Sequence, residues 1–259
     1  MPKKKRIPNI ILAALVVFVI LYGINIALSE RILSPYRTVI ENAKPANLQA
    51  TLITNDCSTC FNMDNVIAFI KSQNATITQK NISYANAQNY ITTYNIKSLP
   101  ALVITGDVNR TSMSMVWHAL GASYVKGAEV VSGIPPYYSL DIQDVIGVVQ
   151  VIKLTDSSCQ TCYDADLHMQ ILPGYGVYVS NTTTYDVSSA NGNLLVQKYN
   201  ITRVPTILLS PDAAVYTGLN QVWGQVGTIE SDGWYVFRTT QMMGTYKLLT
   251  NNTIINAPA

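Results

Sequence analysis

Hydrophobic positions fall along this chain in distinct patterns. The first is a nearly unbroken apolar run over residues 7–28, interrupted only by Asn9, Gly23 and Asn25. About 20 apolar residues suffice to cross a bilayer as a helix, whereas a cleaved signal peptide has a core of about 7–15. The run predicts a transmembrane signal-anchor helix over 7–28, behind a basic N-terminus (1–6) and ahead of a linker (29–45). Ala27-Leu28-Ser29 also fits a cleavage site, so removal of the segment stays open. The second pattern is the short, β-branched-rich apolar run. Residues 48–54, 101–105, 148–155 and 206–210 read as buried strands, with further strands near 77–84 and 176–180. The third is helical spacing. Phe61, Val66, Ile67 and Ile70 can share one face, and Leu167, Ile171 and Leu172 form a weaker counterpart. Short helical segments are expected over 86–94 and 191–199, and hairpins with Gly turns over 113–131 and 221–238. The segment 132–144, with Pro135-Pro136, is the natural junction.

These elements recur. Thr54-Asn55-Asp56-Cys57-Ser58-Thr59-Cys60 returns as Asp156-Ser157-Ser158-Cys159-Gln160-Thr161-Cys162. Tyr94-Asn95-Ile96-Lys97-Ser98-Leu99-Pro100 returns as Tyr199-Asn200-Ile201-Thr202-Arg203-Val204-Pro205, and Val116-Trp117 before Gly121 as Val222-Trp223 before Gly227. The offsets are 102, 105 and 106 residues, so order and spacing persist through two units. Solenoid repeats run at about 20–50 residues, so a period near 100 marks a domain duplication. The expected domains are 46–143 and 144–259.

Composition narrows the setting. Charged residues make up 12%, about half the usual share. The net charge is +2, and Lys3 to Arg6 supply more than all of it, leaving no basic stripe downstream. Nucleic-acid binding therefore has no electrostatic footprint. The basic cluster precedes the apolar run and only Arg31 and Arg37 follow it closely, so the positive-inside bias leaves the N-terminus cytoplasmic and the domains outside. Asn-x-Ser/Thr sequons at Asn74, Asn81, Asn109, Asn181, Asn200 and Asn251 agree with a glycosylated outer portion. Disulfides persist in such a compartment.

All four cysteines fall into two Cys-x-x-Cys pairs, each expected between a strand and a helix. That placement puts the first sulfur at a helix N-terminus, where free N–H groups and the macrodipole favour a thiolate. The second sulfur would lie one turn further in, shielded and close enough to close a small ring. An attacking thiol beside a resolving one is what exchange through a mixed disulfide requires.

Strand, Cys-x-x-Cys, helix, strand, helix, then hydrophobic-Pro before another strand resembles the thioredoxin superfamily. The proline follows the second Cys by 40 residues in one unit and 43 in the other. The resemblance covers about residues 46–259 and is similar to tandem-fold protein disulfide oxidoreductases of archaea and bacteria, more loosely to protein disulfide isomerase. It implies an α/β fold of two tandem thioredoxin-like domains, each a mixed central sheet flanked by helices. It implies redox disulfides Cys57–Cys60 and Cys159–Cys162, with Cys57 and Cys159 attacking and Cys60 and Cys162 resolving. Pro100 and Pro205 would be cis, after Leu99 and Val204, and would shape a groove that offers a backbone edge to an extended peptide. Substrates would be extracytoplasmic protein thiols and disulfides. No organic cofactor is implied, because the sulfur pairs hold the electrons, and a separate redox partner would recharge them.

Several positions depart from the family. Asp56 and Ser158 stand where an aromatic residue often precedes the first Cys, and Asp56 would oppose a thiolate on Cys57. Thr51 and Lys153 replace the buried acid, and Lys153 is a candidate to favour a Cys159 thiolate. His118 and His168 are left outside the site. Two other readings stay open. Four cysteines can hold zinc or an iron–sulfur cluster, although paired Cys-x-x-Cys zinc ligands usually lie about 12–20 residues apart. Alternatively, both pairs are permanent disulfides in a scaffold that only binds partners.

Overall fold

The computed structural model describes residues 9–256. The expected basic N-terminus (1–6) and the first two residues of the expected anchor lie outside them. A long helix, α1 (Asn9–Ala43), opens the described chain. Its 35 residues span about 52 Å at 1.5 Å per residue, against a hydrocarbon core of about 30 Å. The window 15–37 is long and apolar enough to span a membrane, and none of it packs against the rest of the protein. The segment expected as a linker, 29–45, is instead helical through Ala43. Pro35 sits inside this helix. Arg110 donates to the Lys44 carbonyl just beyond the helix end, which fastens its exit to the first unit.

The first unit runs β1 (Ala46–Thr54), α2 (Asp64–Ser72), β2 (Ala75–Ser83), α3 (Gln88–Tyr94), β3 (Ser98–Leu99), β4 (Ala101–Gly106), α4 (Thr111–Ala119), β5 (Ser123–Val125), β6 (Ala128–Ser132), β7 (Tyr137–Ser139) and β8 (Asp144–Ile146). The second runs β9 (Val149–Thr155), α5 (Leu167–Ile171), β10 (Val179–Asp186), α6 (Ala190–Lys198), β11 (Arg203–Val204), β12 (Thr206–Leu209), α7 (Thr217–Val226), β13 (Gly227–Ile229), β14 (Tyr235–Phe237), β15 (Tyr246–Leu248) and β16 (Thr253–Ile255). These α-helices and strands correspond one for one, and the second unit has two more short 3-10 turns than the first.

Each main sheet is mixed. Its order is β2-β1-β4-β6-β5 in the first unit and β10-β9-β12-β14-β13 in the second. The first two strands of each unit pair in parallel, and the rest pair antiparallel. A parallel βαβ step followed by an antiparallel hairpin, with Cys-x-x-Cys after the first strand, is the thioredoxin-like arrangement. Alternation along β1 explains the layering. Leu48, Ala50 and Leu52 pack with Val66, Ile67 and Ile70 of α2 and Met113, Val116 and Trp117 of α4. Ile53 turns to the opposite face, with Leu99, Val103 and Ile96. The second sheet likewise buries Val149, Val151 and Trp223 on one face and Leu154, Leu208 and Tyr199 on the other.

The repeated Tyr-Asn-Ile has a backbone cause. Asn95 and Asn200 take φ of 51° and 50°, a left-handed conformation that Asn tolerates better than most residues. The next N–H then bonds back into each helix, Ile96 to Ile91 and Ile201 to Val196, and buries the isoleucine. Three expectations need correction. The predicted hairpins begin too early, because 111–119 and 217–226 are helices whose Met113, Val116, Leu219 and Trp223 are buried at helical spacing. The strand expected near 176–180 lies at Val179–Asp186. The expected boundary at 143/144 and junction at 132–144 would cut a hairpin, since β7 and β8 pair with each other and β7 pairs with β3 of the first unit.

The turn between the units is Gly147, with φ of +91°. Its N–H donates to Asp212 Oδ1 at 3.3 Å, and its carbonyl accepts from the Tyr216 hydroxyl. A Cβ there would stand 2.8 Å from Pro135 Cβ. Gly147→Ala should therefore destabilise the protein by about 1–3 kcal/mol, read as a shift of the urea midpoint at unchanged slope. A neutral result would mean that the two units adjust freely about this turn.

Candidate functional site

Both Cys-x-x-Cys motifs lie in loops that leave the C-terminal ends of the first strands. Both are closed as disulfides, Cys57–Cys60 and Cys159–Cys162, each with Cα atoms 5.5 Å apart. The motifs do not open the following helices as expected. Helix α2 begins at Asp64 and α5 at Leu167, several residues past the second cysteine. The cause is a repeated side-chain turn: Asn62 accepts from the Asp64 N–H at 2.8 Å, and Asp164 from the Asp166 N–H at 2.9 Å. Nor is the second sulfur the shielded one throughout. In the second unit Cys159 is 8% exposed and Cys162 is half-buried, while Cys57 and Cys60 are both half-buried.

Each disulfide meets its proline. The Leu99–Pro100 and Val204–Pro205 peptides are cis, as is Pro135–Pro136. Pro100 lines one open cavity of about 310 Å³ with Cys57, Cys60, Phe61 and Asn81. Cys162 Sγ lies 4.0 Å from the Val204 carbonyl oxygen. The two sulfur pairs and the two prolines thus come together as one constellation per unit. Lys153 does not join them, because its ammonium pairs with Asp166. Asp56 is exposed. Among the described residues no cluster of three or more His, Cys, Asp or Glu is placed to hold a metal.

Sequence reasoning missed a second layer around Cys159–Cys162. Tyr163 donates its hydroxyl proton to the Pro205 carbonyl at 2.7 Å, and His168 Nε2 lies 3.1 Å from the same hydroxyl oxygen. A phenol has one proton, so His168 must be the donor to Tyr163, as the neutral Nε2–H tautomer. His168 is 4% exposed and meets the Phe237 ring edge-on at 4.5 Å. Burial lowers its pKa to about 4 and raises that of the Tyr163 phenol. The weak apolar pattern at 167–172 concealed this: Leu167 and Ile171 are exposed, and His168 with Leu172 fills the interior. A tyrosine directly after the second cysteine was the available signal; the first unit has Phe61 there.

Neutral His168 makes stability pH-dependent. Its folded pKa lies below the unfolded value, so the unfolded chain takes up the proton first. The stabilisation is complete above about 6.5 and falls as pH drops toward 4, by about 3 kcal/mol in all. Urea denaturation at pH 7.5 and 4.5 should show this loss, and His168→Leu should flatten it. An unchanged slope in the variant would assign the loss to other groups.

Lys247 arrives from 91 residues away in sequence. Its Nζ donates to Asp156 Oδ2 at 2.7 Å and Ser158 Oγ at 2.6 Å, directly before Cys159. Side-chain exposure is 8% for Lys247 and 10% for Asp156. Burial alone would raise the Asp156 carboxyl, but hydrogen bonds from Lys247 and Ser158, together with the ammonium charge, outweigh it and hold the group below its usual range. No local pattern announces this lysine.

No family model matches the chain, and no curated protein matches it. Solved structures similar to it include the alkylhydroperoxide reductase component AhpF of Enterococcus faecalis (12% identity over 70% of this chain and 89% of that one, TM-score 0.23). Another is a protein disulfide oxidoreductase of Aeropyrum pernix (12% identity, 67% and 80% covered, TM-score 0.20). A third is ERdj5 (13% identity, 68% and 25% covered, TM-score 0.20). The fold assignment rests on this chain's own strand order.

Proposed function

We propose that this chain is a thiol–disulfide oxidoreductase held at a membrane by α1, with both domains on the extracytoplasmic side. The observation that carries the reading is the repeated meeting of a Cys-x-x-Cys disulfide with a cis-proline loop in a thioredoxin-like unit. In the oxidising direction a substrate thiolate attacks Cys57 Sγ and Cys60 leaves as a thiolate. A second substrate thiolate then attacks the mixed disulfide, so the substrate leaves oxidised and the pair holds two electrons. In the reducing direction the steps reverse, with Cys57 attacking and Cys60 resolving. Cys159 and Cys162 take the same roles in the second unit. The sulfur pairs hold the electrons without an organic cofactor, and a redox partner restores them.

The side of the membrane follows from Lys3 to Arg6 ahead of the apolar run, outside the described residues. It is supported by the six sequon asparagines, all of which are exposed. Redox titration of the detergent-solubilised full chain tests the function, with each pair followed by alkylation and mass spectrometry in glutathione buffers. The expected result is that at least one pair titrates between about −100 and −280 mV. If both stay closed below about −300 mV, the disulfides are structural and the exchange reading fails.

A further inference from the structure

A resident strand occupies the edge that each cis-proline loop would offer to a peptide. In the first unit the Leu140 N–H donates to the Lys97 carbonyl at 2.9 Å, and β3 pairs with β7 in the register Ser98↔Ser139, Leu99↔Tyr138. Opposed residues in an antiparallel ladder alternate between bonded and non-bonded pairs. Lys97 and Leu140 form a bonded pair, so the next one is Leu99 with Tyr138. The N–H and C=O of one extended residue point the same way, and the residue before Pro100 therefore has both groups engaged. The second unit repeats this. Leu249 N–H donates to the Thr202 carbonyl at 2.9 Å, and Val204 is opposed by Lys247.

The same segments are tied to the cysteine loops. Phe61 N–H, directly after Cys60, donates to the Pro136 carbonyl at 2.7 Å, and Tyr163 N–H, directly after Cys162, to the Thr245 carbonyl at 2.8 Å. Pro136, Tyr138 and Leu140 thus match Thr245, Lys247 and Leu249 at one constant offset, and each segment bridges its Cys-x-x-Cys loop and its proline loop. The two straps differ in how they are fastened. The ion pair beside the first, Lys97–Asp141, is about two-thirds exposed, whereas the pair that holds the second, Lys247–Asp156, is nine-tenths buried. Exposed pairs contribute little and salt screens them; a buried, hydrogen-bonded pair resists separation.

We propose that residues 136–140 and 245–249 are built-in occupants of the two peptide-binding edges, and that Lys247 latches the second. Resting on the exchange reading, this makes Cys57–Cys60 the pair that meets extended peptides first. Cys159–Cys162 exchanges with peptides only when the strap around Lys247 is displaced. Cys159 is the most buried of the four cysteines, at 8% exposure.

The test uses the oxidised full chain in detergent and two reductants, a small dithiol and a twelve-residue peptide carrying a reduced Cys-x-x-Cys. Reduction of each pair is followed by quenched alkylation and peptide mapping, so the first pair serves as internal control. In Lys247→Met the peptide should reduce Cys159–Cys162 at least tenfold faster, while its rate at Cys57–Cys60 stays within twofold. An unchanged peptide rate at Cys159–Cys162 overturns the latch. If the small dithiol opens neither pair, the exchange reading itself has failed. Should Lys247→Met not fold, hydrogen exchange on Cys162→Ser, which keeps Lys247 and cannot resolve a mixed disulfide, decides. Protection of the Lys247 and Val204 amides should fall when a single-cysteine peptide is held in mixed disulfide at Cys159, and retained protection with the peptide bound overturns the proposal.

Discussion

Replacing Cys57 and Cys159 together by serine should reduce disulfide exchange to the uncatalysed background while both units stay folded. The reaction passes through a sulfur–sulfur bond to substrate, and a serine hydroxyl can neither form that bond nor ionise near neutral pH. The structural loss should be small. A bond closing a loop of about four residues restricts the unfolded chain by about 2 kcal/mol in the chain-entropy relation, against cores that bury Ile53, Ile70, Leu154 and Leu208 completely. Single replacements should separate the units. Cys57→Ser should remove most exchange with extended peptides, and Cys159→Ser only a minor part, because the second edge is latched. Exchange assays with peptide substrate, run beside circular dichroism, check both points. Full activity in the double variant would overturn the exchange reading, and a partner retained by the inactive variant would favour the binding-module reading.

Lys247→Met should destabilise the second unit by about 3–5 kcal/mol, because it leaves the Asp156 carboxylate buried without its counter-ion. Lys198→Met offers the contrast. Lys198 pairs with Asp232 at a similar 2.7 Å but is 58% exposed, where water screens the pair, and its removal should leave the urea midpoint nearly unchanged. Replacing Asp156 by Asn in the Lys247→Met background should recover much of the loss, since no uncompensated charge then remains. Urea unfolding of the four proteins measures these differences. Equal effects at Lys247 and Lys198 would mean that water reaches the Lys247 pair and that the strap is loosely held. Asp156 has a depressed carboxyl pKa, so the latch is complete above about pH 4 and weakens as pH falls below that.

Much of this was legible in the chain itself. Apolar-rich stretches of four to nine residues specify the central strands β1, β4, β9 and β12, because alternating or continuous burial is written into consecutive residues. The repeated sequence blocks, the two Cys-x-x-Cys pairs, and Pro100 and Pro205 are local and therefore readable. Where local signals were short or ambiguous, readings slipped. A five-residue α5 with exposed Leu167 and Ile171 has too little period to show that His168 is its inward residue.

Only the tertiary structure decided what surrounds the sulfurs. Strands β7 and β15 are three residues each, too short to carry a pattern, and form because the proline loops offer them an unpaired edge. Lys247 reads locally as a surface lysine and is buried only because Asp156 and Ser158 wait for it on a distant loop. Burial of charge depends on a partner, and a partner 91 residues away is a property of the fold.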